Sequence, residues 1–258
     1  MGWSVMDKEY AGQYIWILGA SSGIGRALAI DLAKRGAVLC VSARSQDKLD
    51  MLLNELDGDG HIAIGADAGC FESLEKVANT IEQKFPKLDS AIFMAALYSA
   101  HDGSQKPLSF IHDMIRVNFI GAYNMLYAVQ GAFLNQGYGQ YVICASVAGY
   151  RGLPTGQPYC ATKAALINLA ESLRLDLSPQ NIDVKVINPG FVRTPLTDKN
   201  DFFMPMMIEA EEAASVIAND MLRKPVFEIH FPKRFTFLMK IIRMLPKFIY
   251  FPLARRLR

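Results

Sequence analysis

The sequence predicts a doubly wound α/β fold, a three-layer α/β/α sandwich around a parallel sheet of about seven strands, with a short helical appendix at the C-terminus. Three observations carry this expectation. Short β-rich apolar runs alternate strictly with longer helical patterns from residue 14 to about 231. The runs are apolar enough to be buried on both faces, as parallel strands covered by crossover helices must be. The chain has 258 residues, 51% hydrophobic and 20% charged, which suits a single core, and no repeat or linker-like stretch divides it.

In chain order, the run Tyr-Ile-Trp-Ile-Leu-Gly gives a strand at 14–19, and a glycine-rich turn leads into a helix over 25–34. A second apolar run at 38–43 precedes a helix at 46–56, and a third at 62–66 precedes one at 71–85. The strand at 91–95 is followed by one long helical pattern, 107–134. Strands at 141–144, 184–188 and 226–230 then alternate with helices at 158–177 and 209–222. This places a catalytic domain at 1–231 and a basic amphipathic extension of it at 232–258.

The formal charge of +2 gives no global reason to expect a nucleic-acid partner. Its distribution is uneven: eight basic residues and no acidic one follow Ile229, so the rest of the chain is net acidic. Cys40, Cys70, Cys144 and Cys160 are widely spaced with no CxxC pair, which argues against a zinc site or a disulfide framework and for a reducing compartment. The first apolar run is too short for a signal-peptide core or a spanning helix, and Met6 stands where a myristoylation signal wants Ser or Thr. A cytoplasmic protein is expected.

Chemistry concentrates in two places. Gly19, Ser21, Ser22, Gly23, Ile24 and Gly25 form a Gly-x-x-x-Gly-x-Gly turn directly between the first strand and the first helix. There, backbone N–H groups and a helix N-terminus can meet a pyrophosphate. Tyr159 and Lys163 stand four residues apart on a helix, so they share a face and can reach one ligand. Ser146 lies just after the fifth strand, and Asn118 lies in Val117-Asn118-Phe119-Ile120-Gly121 on the long helix before it. With this glycine turn, the sequence resembles the short-chain dehydrogenase/reductase family, whose Asn-Ser-Tyr-Lys tetrad these four residues match in type, order and spacing.

The resemblance covers about residues 14–230 and implies a Rossmann-type fold, hydride transfer between a nicotinamide cofactor and a carbonyl or alcohol, and a homodimer or homotetramer. A ketone reduced by hydride needs a proton at its oxygen, and Tyr159 would supply it. An unperturbed phenol is a weak acid, with a pKa of about 10, and a cation at Lys163 would lower it. By the same resemblance, Lys163 also holds the nicotinamide ribose, Ser146 donates to the substrate oxygen, and Asn118 anchors a water in the proton relay. Pro189, Gly190, Val192 and Thr194 match the motif after the sixth strand that meets the carboxamide. Ala95 occupies the place of a further cofactor contact.

The second strand ends Val41-Ser42-Ala43-Arg44, where the adenosine ribose lands. Ala43 replaces the Asp of NAD-preferring relatives, and Arg44 suits a bidentate grip on a 2′-phosphate, so NADP(H) is the expected cofactor. Asp67 matches an acidic residue near the adenine, or is simply a turn former. Two positions depart from the family: Leu18 replaces a threonine, and Phe93-Met94-Ala95-Ala96 replaces Asn-Asn-Ala-Gly.

Phe202, Phe203, Met204, Met206 and Met207 stand where the family carries its substrate loop. Adaptable thioethers and aromatics there point to an apolar substrate, a lipid or cyclic terpenoid-like compound, or else to a satellite core or subunit contact. Lys240, Arg243 and Lys247 would each cost about 2.5–3.5 kcal/mol at a membrane centre, and Pro246 and Pro252 interrupt a helix. The tail therefore reads as an interfacial helix over about 232–245 on anionic lipid, peripheral to a membrane, or as a segment packed beside the substrate cleft or on another subunit. The expected activity is that of an NADP(H)-dependent carbonyl reductase. The alternative is a non-catalytic NADP(H)-binding sensor or membrane-associated scaffold on the same fold.

Overall fold

A computed structural model describes residues 9–99 and 107–256. Seven parallel strands are β1 (Tyr14–Leu18), β2 (Val38–Ala43), β3 (Ile62–Gly65), β4 (Ser90–Phe93), β5 (Gly139–Cys144), β6 (Ile182–Pro189) and β7 (Glu228–Phe231). They lie in the order β3-β2-β1-β4-β5-β6-β7. The helices are α1 (Gly23–Lys34), α2 (Gln46–Leu53), α3 (Phe71–Lys84), α4 (Leu108–Ile115), α5 (Gly121–Gln136), α6 (Tyr159–Leu177), α7 (Ala210–Met221), α8 (Lys233–Met244) and α9 (Lys247–Arg255). The expected doubly wound architecture is present, with winding reversed between β1 and β4. That reversal opens a crevice at the strands' C-terminal ends, where such sheets bind ligands.

Strand periodicity builds the layers. On β1, Trp16 and Leu18 face a core with Leu74 and Val77 of α3, Met125 and Val129 of α5, and Leu166 of α6. Ile15 and Ile17 face the opposite core, with Leu28 and Leu32 of α1, Leu49 of α2 and Ile217 of α7. Burial on both faces is why the strands read as unbroken apolar runs. The indole N–H of Trp16 would be stranded inside, and it donates to Ser42 Oγ at 3.0 Å.

Two expectations need correction. The pattern at 107–134 is not one helix: α4 and α5 are separated by a π-helical turn, Arg116–Ile120. The amphipathic pattern carries straight through it, so periodicity could not reveal the break; a tertiary contact of Asn118 described below accounts for it. The tail holds two helices rather than one. Pro246 ends α8 and stands at the N-cap of α9, and Pro252 lies inside α9. Nor is the tail a separate layer, since Phe235 and Met239 of α8 join the core. The four cysteines are free thiols. Among the described residues no helix is long and apolar enough to cross a membrane.

Candidate active site

The glycine turn is shaped by close approach. Gly19 has φ +101°, and a Cβ there would stand 2.6 Å from Ala95 N and 2.7 Å from Met94 C, so only glycine lets β1 turn against the end of β4. A Cβ on Gly25 would run into the Gly19 carbonyl. Gly23, at φ +56°, lies under the Thr194 side chain, 3.1 Å from the methyl to a notional Cβ. The loop after β6 therefore closes over the turn, with Ser21, Ser22 and Ile24 between. Ser22 N-caps α1 without a side-chain hydrogen bond, and among the described residues no carboxylate stands in its first turn. Free N–H groups, a positive helix end and a backbone stripped of side chains fit a pyrophosphate.

Arg44 is exposed beyond β2, and no ion pair among the described residues engages it. Asp67 is a turn residue: Oδ1 accepts the Gly69 N–H at 2.9 Å and Oδ2 accepts from Arg116 at 3.1 Å. Partial burial opposes its ionisation, but the Gly69 N–H and the Arg116 and Arg44 guanidinium groups prevail and hold the carboxyl below its usual range.

The candidate tetrad is drawn from three elements, the π-helical turn, the turn after β5 and α6. Asn118 is fully buried on the π-helical turn, its Oδ1 accepting Leu97 N–H at 2.6 Å and its Nδ2 donating to Leu97 O at 2.9 Å. This two-point clamp on a loop backbone accounts for the departure from α geometry, since π turns re-aim a side chain. Ser146 caps the short turn Val147–Gly149, accepting Ala148 N–H at 3.1 Å, and its hydroxyl faces Pro189 O at 3.5 Å. Tyr159 opens α6 and Lys163 follows one turn later, its Nζ 5.5 Å from the phenol ring centre.

Electrostatics here differ from the expectation in one respect. Burial pushes the Tyr159 phenol up, Cys144 adds to this, and a Ser146 hydrogen bond pulls it back. Lys163 is itself buried, which lowers its pKa, and its Nζ donates to Cys144 O at 2.8 Å. One of three ammonium protons is thus committed and two remain for a ligand.

Around these groups, Val192 is buried and bridges Ile208, and Thr197 Oγ1 ties Val192 O at 2.6 Å to Thr194 N at 3.0 Å. Gly190 N–H donates to Phe231 O at 2.7 Å, fixing the Pro189–Gly190 turn. Ala95 packs against the core beside Gly19. Phe203 is 87% exposed, and Phe202 and Met206 are also exposed. Phe202 stacks edge-on to Phe191 at 6.0 Å, and Phe191 meets Phe235 of α8 at 5.2 Å. Met204 Sδ accepts from Asn200, while Met207 is half-buried. The tail thus packs beside Phe191 and Phe202, in the placement by the cleft that was one of three the sequence left open. Sequence reasoning missed Tyr98, whose ring meets Tyr159 edge-on at 4.9 Å and whose OH donates to Asn200 at 2.6 Å. Its signal was position alone, past the end of β4. A cavity of about 580 Å³ lies elsewhere, among Asp89, Arg174 and Asp183, and holds none of the tetrad.

A switch-point crevice with an open helix N-terminus and a Tyr-Lys pair defines a class, the nucleotide-dependent oxidoreductases that move hydride. The chain belongs to the short-chain dehydrogenase family, whose model matches residues 13–202. It is 31% identical over 245 residues to an oxidoreductase of Myxococcus xanthus, covering 94% of this chain and 96% of that one. It is 30% identical to the 11-beta-hydroxysteroid dehydrogenase-like 4A protein of Arabidopsis thaliana, covering 86% and 77%. A short-chain dehydrogenase from Sphingobium yanoikuyae in complex with NADPH superposes with a TM-score of 0.78 at 25% identity, covering 91% and 97%. The protein is a hydride-transferring oxidoreductase acting on CH–OH or C=O groups.

Proposed function

We propose that the protein is an NADP(H)-dependent carbonyl reductase or alcohol dehydrogenase for an apolar substrate. The single observation that carries this is the Tyr159–Lys163 pair on α6, with Ser146 hydrogen-bonded to the phenol and Asn118 Nδ2 donating to Thr162 Oγ1 of the same helix at 3.3 Å. When bound, the nicotinamide supplies or accepts the hydride. Ser146 Oγ, held only loosely by Pro189 O, orients the substrate oxygen. Tyr159 gives its phenolic proton to that oxygen in reduction and takes it back in oxidation. Lys163 turns its two uncommitted protons to the nicotinamide ribose, and the Ser146 hydrogen bond counters the burial that holds the phenol up. Asn118, its side chain bonded to Leu97 and Thr162, holds the loop that carries Tyr98, and the anchoring of the relay water is assigned to it.

Gly19, Ser21, Ser22, Gly23, Ile24 and Gly25 take the pyrophosphate, Arg44 the 2′-phosphate, Asp67 and Ala95 the adenosine side, and Pro189, Gly190, Val192 and Thr194 the carboxamide. The solved relative bound to NADPH supports the cofactor. The exposed Phe202, Phe203 and Met206, with half-buried Met204 and Met207, support an apolar ring or chain as substrate. So do relatives bearing hydroxysteroid dehydrogenase names. Residues 1–231 form the catalytic domain and 232–258 an extension of it. Exposed Ile120, Tyr123 and Tyr127 suit a homodimer or homotetramer contact.

The extension turns Phe237, Leu238, Ile241, Met244, Phe248 and Phe251 to solvent beside exposed Arg234, Arg243, Lys247, Arg255 and Arg256. That face suits the peripheral, anionic surface of a membrane bordering the cytoplasm. Deleting 232–258 would uncover the core under Phe235, so Phe237→Ser with Ile241→Ser is the cleaner test. Salt-sensitive flotation with anionic liposomes should be lost in that variant; no flotation of the wild type at low salt rejects the membrane.

The main test is NADPH oxidation against apolar ketones, aldehydes and oxo-lipids, with Tyr159→Phe beside the wild type. The variant should bind NADPH and lose turnover by at least about 10²-fold. Tight NADPH binding without turnover over the whole panel would favour a sensor or scaffold.

A further inference from the structure

Behind the catalytic groups lies a second polar cluster that the reaction does not use. Glu228 opens β7, paired with Val186 of β6, and its carboxylate is a hub. Oε1 accepts the Tyr150 hydroxyl and, at 2.7 Å, Asn188 Nδ2, while Oε2 accepts Lys240 Nζ of α8 at 2.5 Å. Tyr150 and Asn188 are buried, at 5% and 1% exposure, and the carboxylate side chain is 25% exposed. Asn188 Oδ1 has no partner among the described residues, so the Glu228 bond is the anchor of that side chain. A carboxylate holding three donors in a half-buried place is worth more than any one bond, because low dielectric strengthens a fully satisfied network.

What the hub joins is telling. Tyr150 ends the turn Val147–Gly149 that Ser146 caps, and Asn188 stands at the end of β6, directly before Pro189 and the turn at Gly190. Those are the two backbone segments between which the Ser146 hydroxyl sits, 3.5 Å from Pro189 O. The third arm is the tail helix, which also presses directly on the second turn: a Cβ on Gly190 would stand 2.7 Å from Phe235 Cδ1. The Arg243 guanidinium lies 5.9 Å over the Tyr150 ring from the same helix.

We infer that Glu228 is a positioning residue for the reaction: it sets Ser146 by locking the two turns around it to each other and to the docked helix α8. This rests on the reductase reading above. Removing the carboxylate frees both turns, and the serine hydroxyl then spends less time at hydride-transfer geometry, while the pyrophosphate and adenosine contacts on the β1–β3 side are untouched.

The test uses Tyr150→Phe, which deletes one oxygen from a buried ring, with Glu228→Ala, Glu228→Gln and the Tyr150→Phe/Glu228→Ala double variant of the full chain. In both single deletions kcat for ketone reduction should fall about tenfold, with the NADPH dissociation constant held within about twofold. The double variant should be no worse than the poorer single, since both act through one bond. Glu228→Gln, which keeps an acceptor for Tyr150, should recover part of the loss. Hydrogen exchange of peptides spanning 146–151 and 188–194 should quicken in the deletions, a readout independent of turnover. Unchanged kcat with unchanged exchange, or losses that simply multiply, would overturn the assignment. If Glu228→Ala does not fold, Tyr150→Phe decides alone. A wild type that binds NADPH without turnover would sink the reductase reading, and the exchange data would still decide whether Glu228 locks the two turns.

Discussion

Replacing Arg44 by alanine removes one guanidinium from the end of β2 and disturbs little else, because that side chain is exposed and no described ion pair holds it. Its hydrogen-bond donors are therefore available to a 2′-phosphate. A charge-assisted hydrogen bond contributes about 1.5–3 kcal/mol. Exposure and salt screening put the present case at the lower end, about 1.5–2 kcal/mol. Since 1.4 kcal/mol is tenfold, NADPH should bind roughly 10–30-fold more weakly to the variant, and NADH, lacking the phosphate, should bind as before. Fluorescence titration of both nucleotides at low and high salt measures this. The wild-type preference for NADPH should shrink with salt, whereas the variant's should hardly respond. Equal weakening of both nucleotides, or of neither, would refute the placement of the phosphate at Arg44.

Gly19→Ala combines a backbone left at φ +101° with a methyl 2.6 Å from Ala95 N. It should cost about 2–5 kcal/mol, a Tm drop of roughly 5–15 °C at this size, together with NADPH binding; a variant with wild-type Tm would contradict the close approach. Burial first, then Lys233 and Lys240, push His230 down to about 4, and its Nδ1 meets Thr236 Oγ1 at 2.6 Å. An unfolded histidine near 6.5 takes up its proton first, so this contribution is full above that pH and is lost as pH falls toward 4. Urea unfolding at pH 7 and pH 4.5 should differ by about 2 kcal/mol more in the wild type than in His230→Gln; equal differences would count against it.

The parallel fold was legible because its strands are buried on both faces, and a doubly buried strand such as Ile15 to Leu18 needs no partner to be recognised. The glycine turn and the Tyr159–Lys163 pair were legible for a related reason, since close approach and helical spacing are written in adjacent residues. What escaped notice depends on contacts between segments distant in the chain. Asn118 leaves α geometry because of Leu97, the tail docks because Phe235 finds Phe191, and Glu228 gains its role from Tyr150 and Lys240. Lys185 is the sharpest case. A charge within β6, it is fully buried, donating to Arg223 O at 2.9 Å and Val226 O at 2.5 Å, and burial pulls its pKa to about 8.

The π-helical turn at Arg116–Ile120 is, in effect, a stored insertion. A chain one residue shorter there would regain an unbroken α ladder, a local gain, while each residue of slippage turns the following side chains by about 100°. Asn118 would then swing off Leu97, and the loop leading to Tyr98 would lose both of its backbone anchors. Helix regularity and loop order pull against each other at this one point. Chain length is therefore constrained at this segment together with the identity of Asn118.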